Sequence, residues 1–401
     1  MARDKIDREF IVITITNFPE GGAPANYLNL FCKGLKENNR NVKVWLLKGY
    51  AFGNYSNNEI RQNISNDGIP YIYLSSPKRP VENLKKIGND VIAWFRLIIY
   101  LIKLAPNRKT TTILLYNNEL QFSIPIFFGA KLLGIQIISF VSEYYDKSAF
   151  NSSLMRKLKW YGFLINFNYF NKASNRLIVF SHYLKNLYLK QGVDKQKIIV
   201  QPNLTDFEYW HIDKGEARYT LGYSGTPSLK DGLADLLYAI SKLKNENIPV
   251  SLLIIGDSTF GKSIIPELQK LCESLSISDL VTFTGLVGND QVRKHLSECK
   301  ILTLTRPNII QTQAGFPTKL GEYFASGKQI LTTDFGDIPI YFKPMVELVM
   351  AKCGNIEDIS SKIKWIIQHP DESEQIRKNG YIKAKQMLSY NTSLNRIIKE
   401  I

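Results

Sequence analysis

The chain is poor in the residues that make cross-links and metal sites. Its 401 residues include only four cysteines and four histidines. Cys32, Cys272, Cys299 and Cys353 stand far apart in no metal-like spacing, so they read as reduced, mostly buried thiols of a cytosolic protein. His182, His211, His295 and His369 show no ligand spacing, and only His182 follows an expected strand end. No run of roughly 18 apolar residues occurs, so no segment is expected to cross a bilayer as a helix. The nearest approach, VIAWFRLIIYLIKL from Val91 to Leu104, puts Arg96, Tyr100 and Lys103 on one helical stripe. The first ten residues, MARDKIDREF, are charged and have no apolar signal core. Low-complexity tracts, internal repeats and nucleic-acid recognition motifs are missing too.

What is present is a large apolar content and an uneven positive charge. With 44% hydrophobic residues the length suits two domains rather than one. Of the net charge of +15, residues 1–210 hold 28 Lys+Arg against 15 Asp+Glu, or +13, and residues 211–401 hold 23 against 21, or +2. A basic half beside a near-neutral half points to an anionic partner for the first half, with solubility as the plain alternative.

Short β-branched runs alternate with helical spacing along the whole chain. FIVITITNF, VKVWLLK, TTILLY, IQIISFVS and RLIVFS read as buried strands, with helical stretches such as YLNLFCKGLKENN between them. The alternation stops at QPNLTDFEYWHIDKG, Gln201 to Gly215, which is rich in turn formers. It restarts with YTLGYSG, VSLLIIGD, VTFTG, ILTLT and QILTTD. The expected fold is therefore α/β, with two doubly wound parallel sheets. The expected domains are residues 1–205, residues 206–371, and a charged amphipathic C-terminal helix over 372–401 that packs back toward the first domain. Ligands of such sheets bind at the carboxyl ends of the strands.

One stretch concentrates possible chemistry there. In QAGFPTKLGEYFASG, Gly315 and Pro317 bend the chain just ahead of a helix, and Pro317 suits a first turn. The amides of residues 316–319 (Phe316, Pro317, Thr318, Lys319) would then face outward as a phosphate site, with Lys319 adding a cation. Glu322, one turn in, has the carboxylate to accept two ribose hydroxyls. A well-capped helix with a dipole-matched glutamate is the alternative.

The ordered set GGAPAN, VFSHYLKNLYLKQGV, IIVQPN, GYSGT…KDG, LLIIGD, VTFTGLV and AGFPTKLGEYFASGKQIL resembles the glycosyltransferase family 4 enzymes, of the GT-B fold, over nearly the whole chain. The resemblance implies two Rossmann-like domains facing across a cleft. It also implies sugar transfer from a nucleotide-sugar, of UDP or GDP type, with retention at the anomeric carbon and no metal or other cofactor. Lys230 matches the family lysine that grips the donor diphosphate, a role that neutralises charge on the leaving group. Gly21 and Gly22 match the glycine loop that approaches the diphosphate, and Gly285 and Leu286 match the loop framing the base. Two positions depart from the pattern. Thr226 stands where the family has an arginine before the lysine, and Ala314 where it has the first of two glutamates with seven residues between them, the second being Glu322. Gln311 and Gln313 are the neighbours able to replace that glutamate's sugar contact. Glu143, after IISFVS, stands where many members have histidine; a carboxylate there can orient or deprotonate the acceptor hydroxyl. Asn117, Asn118 and Glu119, after TTILLY, are weaker candidates for acceptor contacts.

The basic half then has a sensible partner. Arg156, Lys157, Lys159 and Trp160, in SSLMRKLKWYGFLINFNYF, suit a helix in the interface of an anionic membrane, and Lys78, Arg79, Lys85 and Lys86 are placed to join them. An ordinary core helix is the alternative. The resemblance implies a lipid-linked saccharide acceptor at the inner face of a bacterial membrane, and synthesis of a cell-surface polysaccharide such as lipopolysaccharide or capsule. Two competing readings are a sugar-nucleotide epimerase of the same fold and a catalytically silent membrane partner of another transferase.

Overall fold

The computed structural model describes residues 8–50, 62–150, 154–212, 216–258 and 262–401. The start of MARDKIDREF, Ser152 and Ser153 of the basic helix, and the end of the 201–215 break lie outside the described residues. The chain divides into two compact units, Met1–Pro202 with Ser393–Ile401, and Asn203–Thr392.

The first unit is built on an eight-stranded sheet. Its strands are β1 (Glu9–Thr14), β2 (Asn41–Leu46), β3 (Gln62–Ile64), β4 (Pro70–Tyr73), β5 (Thr111–Tyr116), β6 (Gln136–Val141), β7 (Arg176–Val179) and β8 (Ile198–Val200). Their order is β3-β4-β2-β1-β5-β6-β7-β8, and all pairs are parallel except the edge pair β3–β4. β5, TTILLY, is buried at every position, as a central strand covered on both faces must be. The helices are α1 (Ala23–Glu37), α2 (Asn83–Lys103), α3 (Leu120–Leu133), α4 (Leu154–Ile165), α5 (Asn171–Ala173) and α6 (His182–Lys190). A π-turn over Asn166–Phe170 joins α4 to α5.

The second unit holds a six-stranded, all-parallel sheet of order β11-β10-β9-β12-β13-β14. Its strands are β9 (Tyr219–Ser224), β10 (Leu252–Ile255), β11 (Val281–Phe283), β12 (Cys299–Leu304), β13 (Gln329–Thr333) and β14 (Val349–Ala351). Its helices are α7 (Leu233–Asn245), α8 (Ile265–Ser274), α9 (Asn289–Ser297), α10 (Ile310–Ala314), α11 (Thr318–Ala325), α12 (Ile338–Tyr341), α13 (Ile356–Gln368) and α14 (Pro370–Leu388); the last helix, α15 (Tyr390–Glu400), belongs to the first unit from Ser393 on. Two apolar cores cover the two faces of the sheet, one holding Leu237, Ile254 and Ile363, the other Leu253, Leu302 and Phe324. Each unit is thus a doubly wound α/β body.

The unit boundaries differ from the sequence expectation. Residues 203–205 belong to the second unit because their polar groups are spent there: the Thr205 N–H donates to the Leu388 carbonyl at 2.8 Å, and Tyr390 N–H donates to the Thr205 carbonyl at 3.1 Å. The tail is not one helix over 372–401. α14 ends at Ser389, which leaves the helical region (ψ 129°), and α14 buries Ile376, Ala384 and Leu388 in the second unit's cores. Only residues 393–401 go with the first unit, where Arg396 donates to Gln201 Oε1 at 2.6 Å.

Candidate functional site

The donor-site candidates of the second unit gather at the carboxyl ends of β9 to β12. Four adjoining loops make this edge. Gly256 N–H, after β10, donates to Thr284 Oγ1, after β11, at 3.1 Å. Thr226 Oγ1, after β9, lies 3.4 Å from the Asp257 carbonyl it faces. Thr305 Oγ1, after β12, donates to the Gly232 carbonyl at 2.9 Å. Gly225 makes the closest approach: its φ is +130°, and a Cβ there would lie 2.1 Å from Lys319 Cε. Only glycine lets the β9 loop and the start of α11 share this space. Gly285 takes a left-handed φ of +67° in the open, and Leu286 beside it is exposed.

Lys319 is the centre of an ion cluster. Its Nζ lies 3.2 Å from Asp231 Oδ1 and 4.1 Å from the centre of the Tyr223 ring, and it also donates to the Tyr223 hydroxyl. Asp231 is buried, and takes two further bonds from Arg306, Nε at 3.1 Å and Nη2 at 2.9 Å, both to Oδ1. Ser228 Oγ donates to its other oxygen at 2.5 Å. Burial alone would raise the Asp231 carboxyl, but Lys319, Arg306 and Ser228 outweigh it and hold it down at about 2. Lys319 is left short of compensation. Burial, and the nearby cations Arg306 and Lys230, bring it down to about 8 despite Asp231. Lys319, Arg306 and Lys230 against Asp231 leave an excess of two positive charges. Lys230, half-buried in the turn before α7, has no ion-pair partner among the described residues. The cluster is therefore charge-balanced only in part by its own carboxylate.

The turn ahead of α11 supplies further donors. Pro317 has no N–H, so the donors of 316–319 are those of Phe316, Thr318 and Lys319, a correction to the four-amide expectation. None of the three has a backbone acceptor among the described residues. Asn203 holds the turn, its Nδ2 donating to the Phe316 carbonyl and, at 3.0 Å, to Thr318 Oγ1. Asn203→Ala should cost about 1–2 kcal/mol in chemical denaturation by leaving that buried carbonyl unmet. An unchanged midpoint would show that the turn holds itself.

Glu322 is half-buried on the first turns of α11, and no side chain among the described residues hydrogen-bonds its carboxylate. Burial raises this carboxyl to about 7, against the downward pull of Lys319. Between the ordinary carboxyl range and about 7 the folded protein holds a proton that the unfolded chain has released. Stability should therefore fall as pH rises through that window. Glu322→Gln should melt like the parent at about pH 5 and be more stable at about pH 8, by on the order of 2 kcal/mol. A pH-independent difference between the two proteins would remove the raised carboxyl from the account.

The expected partner for the missing glutamate is not evident in the packing. Ala314 is fully buried, while Gln311 and Gln313 on α10 are half-buried. Asp231, Arg306, Tyr223 and Asn203 were missed by sequence reasoning. Arg306 stands directly after ILTLT, at a strand end where ligand contacts are expected, and that was the available signal. Thr226 itself faces the Asp257 carbonyl, and the guanidinium of this edge is that of Arg306, which binds Asp231. Two of the four histidines are spent locally: His295 Nδ1 lies 3.0 Å from Glu298 Oε2, and His369 Nδ1 lies 2.9 Å from the Trp365 carbonyl. Among the described residues no group of three or more His, Cys, Asp or Glu is placed to hold a metal ion.

The first-unit candidates lie at the carboxyl ends of β1, β5 and β6. Here Asn117, Asn118, Glu119 and Glu143 line one cavity of about 820 Å³, with Tyr145 and Phe163 as aromatic walls and Lys159 of α4 at its side. Glu143 is half-buried and accepts from the Tyr145 hydroxyl. Glu119 accepts from Lys48 and Gln121, both at 2.5 Å. Burial would raise Glu119, but Lys48 and Gln121 outweigh it and keep it below the ordinary carboxyl range. Asn118 and Asn166 each carry a buried amide oxygen without a partner among the described residues. Acceptor oxygens beside aromatic faces suit a hydroxyl-rich ligand. Gly21, at the start of α1, has φ +156° and a Cβ there would lie 2.8 Å from that of Ala25; Gly22 meets no such limit. On α4, Arg156, Lys157 and Lys159 are exposed, whereas Trp160 is half-buried with Lys147 Nζ 5.7 Å over its ring.

Residues 206–383 match the family model described as glycosyl transferases group 1. No curated protein sequence matches the chain. Among solved structures it is similar to HepE of Anabaena, captured with UDP and with UDP-glucose. For the UDP complex the TM-score is 0.69 at 14% identity, covering 98% of this chain and 100% of that one. Sucrose-phosphate synthase of Thermosynechococcus elongatus superposes with a TM-score of 0.71 at 13% identity, over 98% of each chain. The lipopolysaccharide outer core galactosyltransferase WaaB gives 0.65 at 14% identity, over 98% of this chain and 100% of that one. At such identities the likeness is one of fold. The protein thus has the fold of the GT-B glycosyltransferases, and its residues 206–383 match the glycosyl transferases group 1 model.

Proposed function

We propose that the protein is a retaining, metal-independent glycosyltransferase of the family 4 type. It moves a sugar from a UDP- or GDP-type nucleotide-sugar to a lipid-linked saccharide, in bacterial cell-surface polysaccharide synthesis at the inner face of the membrane. The observation that carries this reading is the excess of two positive charges at Lys230, Lys319, Arg306 and Asp231, set beside three N–H groups without backbone acceptors at the start of α11. A diphosphate has the charge and the acceptor oxygens to satisfy both. Glu322 accepts the ribose hydroxyls. The UDP and UDP-glucose complexes of HepE support the same choice of donor.

In the reaction the acceptor hydroxyl oxygen bonds to the anomeric carbon on the face from which the diphosphate leaves. The bond from that carbon to the diphosphate oxygen breaks, and the hydroxyl proton passes to that departing oxygen. Lys230 and the turn amides stabilise the charge on the leaving group, the term that usually dominates such sites. Glu143, Asn117, Asn118 and Glu119 serve the acceptor.

The reading is tested by incubating the purified protein with UDP-glucose, UDP-N-acetylglucosamine or GDP-mannose, with and without lipid-linked saccharide from bacterial membranes. The expected result is acceptor-dependent release of nucleoside diphosphate and a product of the donor's own anomeric configuration. An isomerised nucleotide-sugar formed without acceptor would favour the epimerase. No turnover of any donor would favour the silent partner.

A further inference from the structure

We propose that the outer face of α2 and α3, continued by α4, is a docking surface for an anionic phospholipid leaflet, and that the first-unit cavity opens at its rim. α2 is apolar on two opposite sides. Ala93, Leu97 and Leu101 face the sheet in one core, shared with Phe122, Ile126 and Ala130 of α3. The far side of α2 carries Leu84, Val91, Phe95 and Ile102 in a stripe of helical spacing, with Phe95 59% exposed. The far side of α3 repeats this with Ile124, Phe128 and Leu132, and Phe128 is 77% exposed. Helix α3 packs against both α2 and α4, and α4 presents Leu154 and Leu158 outward. An ordinary surface helix has one apolar stripe and one polar face. Three neighbouring helices with a second apolar stripe need a second apolar medium.

Charge selects the medium. Within α2, α3 and α4 there are eight cations, Lys85, Lys86, Arg96, Lys103, Lys131, Arg156, Lys157 and Lys159, against one acid, Asp90. Asp90 is itself paired with Arg79 at 3.1 Å. Apolar side chains among an excess of cations match an interface of acyl chains and anionic headgroups. A second copy of the same face would set these cations against each other. The sequence expectation placed the attachment on α4; the structure moves its apolar part to α2 and α3. Ile124 and Leu158, members of the exposed set, also line the cavity that holds Asn118, Glu119 and Glu143. The cavity mouth therefore borders the docking surface, and a saccharide on a lipid carrier enters it from the leaflet side. This last step rests on the transferase reading; the docking does not.

The test is co-sedimentation of the full chain with phosphatidylcholine vesicles, with and without phosphatidylglycerol. Binding should require phosphatidylglycerol and weaken at high salt. Phe95→Asp with Phe128→Asp, both at exposed positions, should bind these vesicles at least about tenfold more weakly. The variant should keep the parent's melting temperature and its shift with UDP, so a failed donor site and a failed docking surface are told apart. Vesicle binding that survives the double substitution would overturn the proposal. So would a parent that ignores the vesicles, or one that proves to be a dimer which the substitutions split.

Discussion

Lys230→Ala should lower sugar transfer about 100-fold or more while leaving the melting temperature where it was. The two halves of this expectation come from different observations. Lys230 is half-buried in the turn before α7 and has no ion-pair partner among the described residues, so its removal breaks no contact that folding depends on. Substitutions of that kind stay within about 0.5 kcal/mol. Its charge nonetheless bears on the cluster, since it is one of the cations that lower Lys319. A lysine that is idle in the free protein and close to an excess of positive charge is placed to act when an anion arrives. The check is steady-state turnover beside a thermal melt. Unchanged turnover would remove Lys230 from the chemistry, and a large fall in melting temperature would recast it as structural.

Asp231→Ala should do the reverse, costing about 3–5 kcal/mol of stability before any chemistry is measured. Asp231 is the only carboxylate touching the Lys319 ammonium and the Arg306 guanidinium among the described residues. Taking it away leaves two cations short of a counter-charge in a place where burial has already brought Lys319 down to about 8. Urea denaturation at neutral pH measures the effect. The carboxyl sits at about 2 when folded, so the stability it contributes is present above its ordinary range and is lost as pH falls toward 2. The difference between parent and variant should therefore shrink on acidification. Inorganic pyrophosphate should make the variant's deficit larger if Asp231 competes little with the anion, and smaller if the anion relieves the cations. The account predicts relief. A variant as stable as the parent at neutral pH would mean that the cluster does not hold the site together.

Much of the architecture was legible because the strands are locally encoded. TTILLY and ILTT are uninterrupted runs of apolar and threonine residues, and such runs are buried on both faces in a parallel sheet covered by helices. The tail was misread as one helix because its end depends on one residue, Ser389, and on Thr205, which lies far away in sequence. The site was legible where the signal was a spacing, as in GFPTKLGE. It was not legible where the partner is remote. Arg306 and Asp231 are 75 residues apart, and nothing in LKDG or TLTRPN names the other. The second apolar face of α2 was hidden for a different reason. Apart from the stripe of Arg96, Tyr100 and Lys103, Val91–Leu104 is apolar, and only the exposure of Phe95 and its neighbours shows which apolar side has no partner within the described residues.

Isothermal titration with UDP, GDP, ADP and TDP, at about pH 8 and about pH 6, tests the central claim most directly. The account predicts saturable binding of one of them. Glu322 ionises between the two pH values while Lys319, brought down to about 8, begins to lose its charge, so Glu322→Ala should weaken binding more at the upper pH than at the lower, and Lys230→Ala should weaken it at both. Absence of binding by all four at millimolar concentration would contradict a donor site at the start of α11 and leave the charge cluster a structural feature.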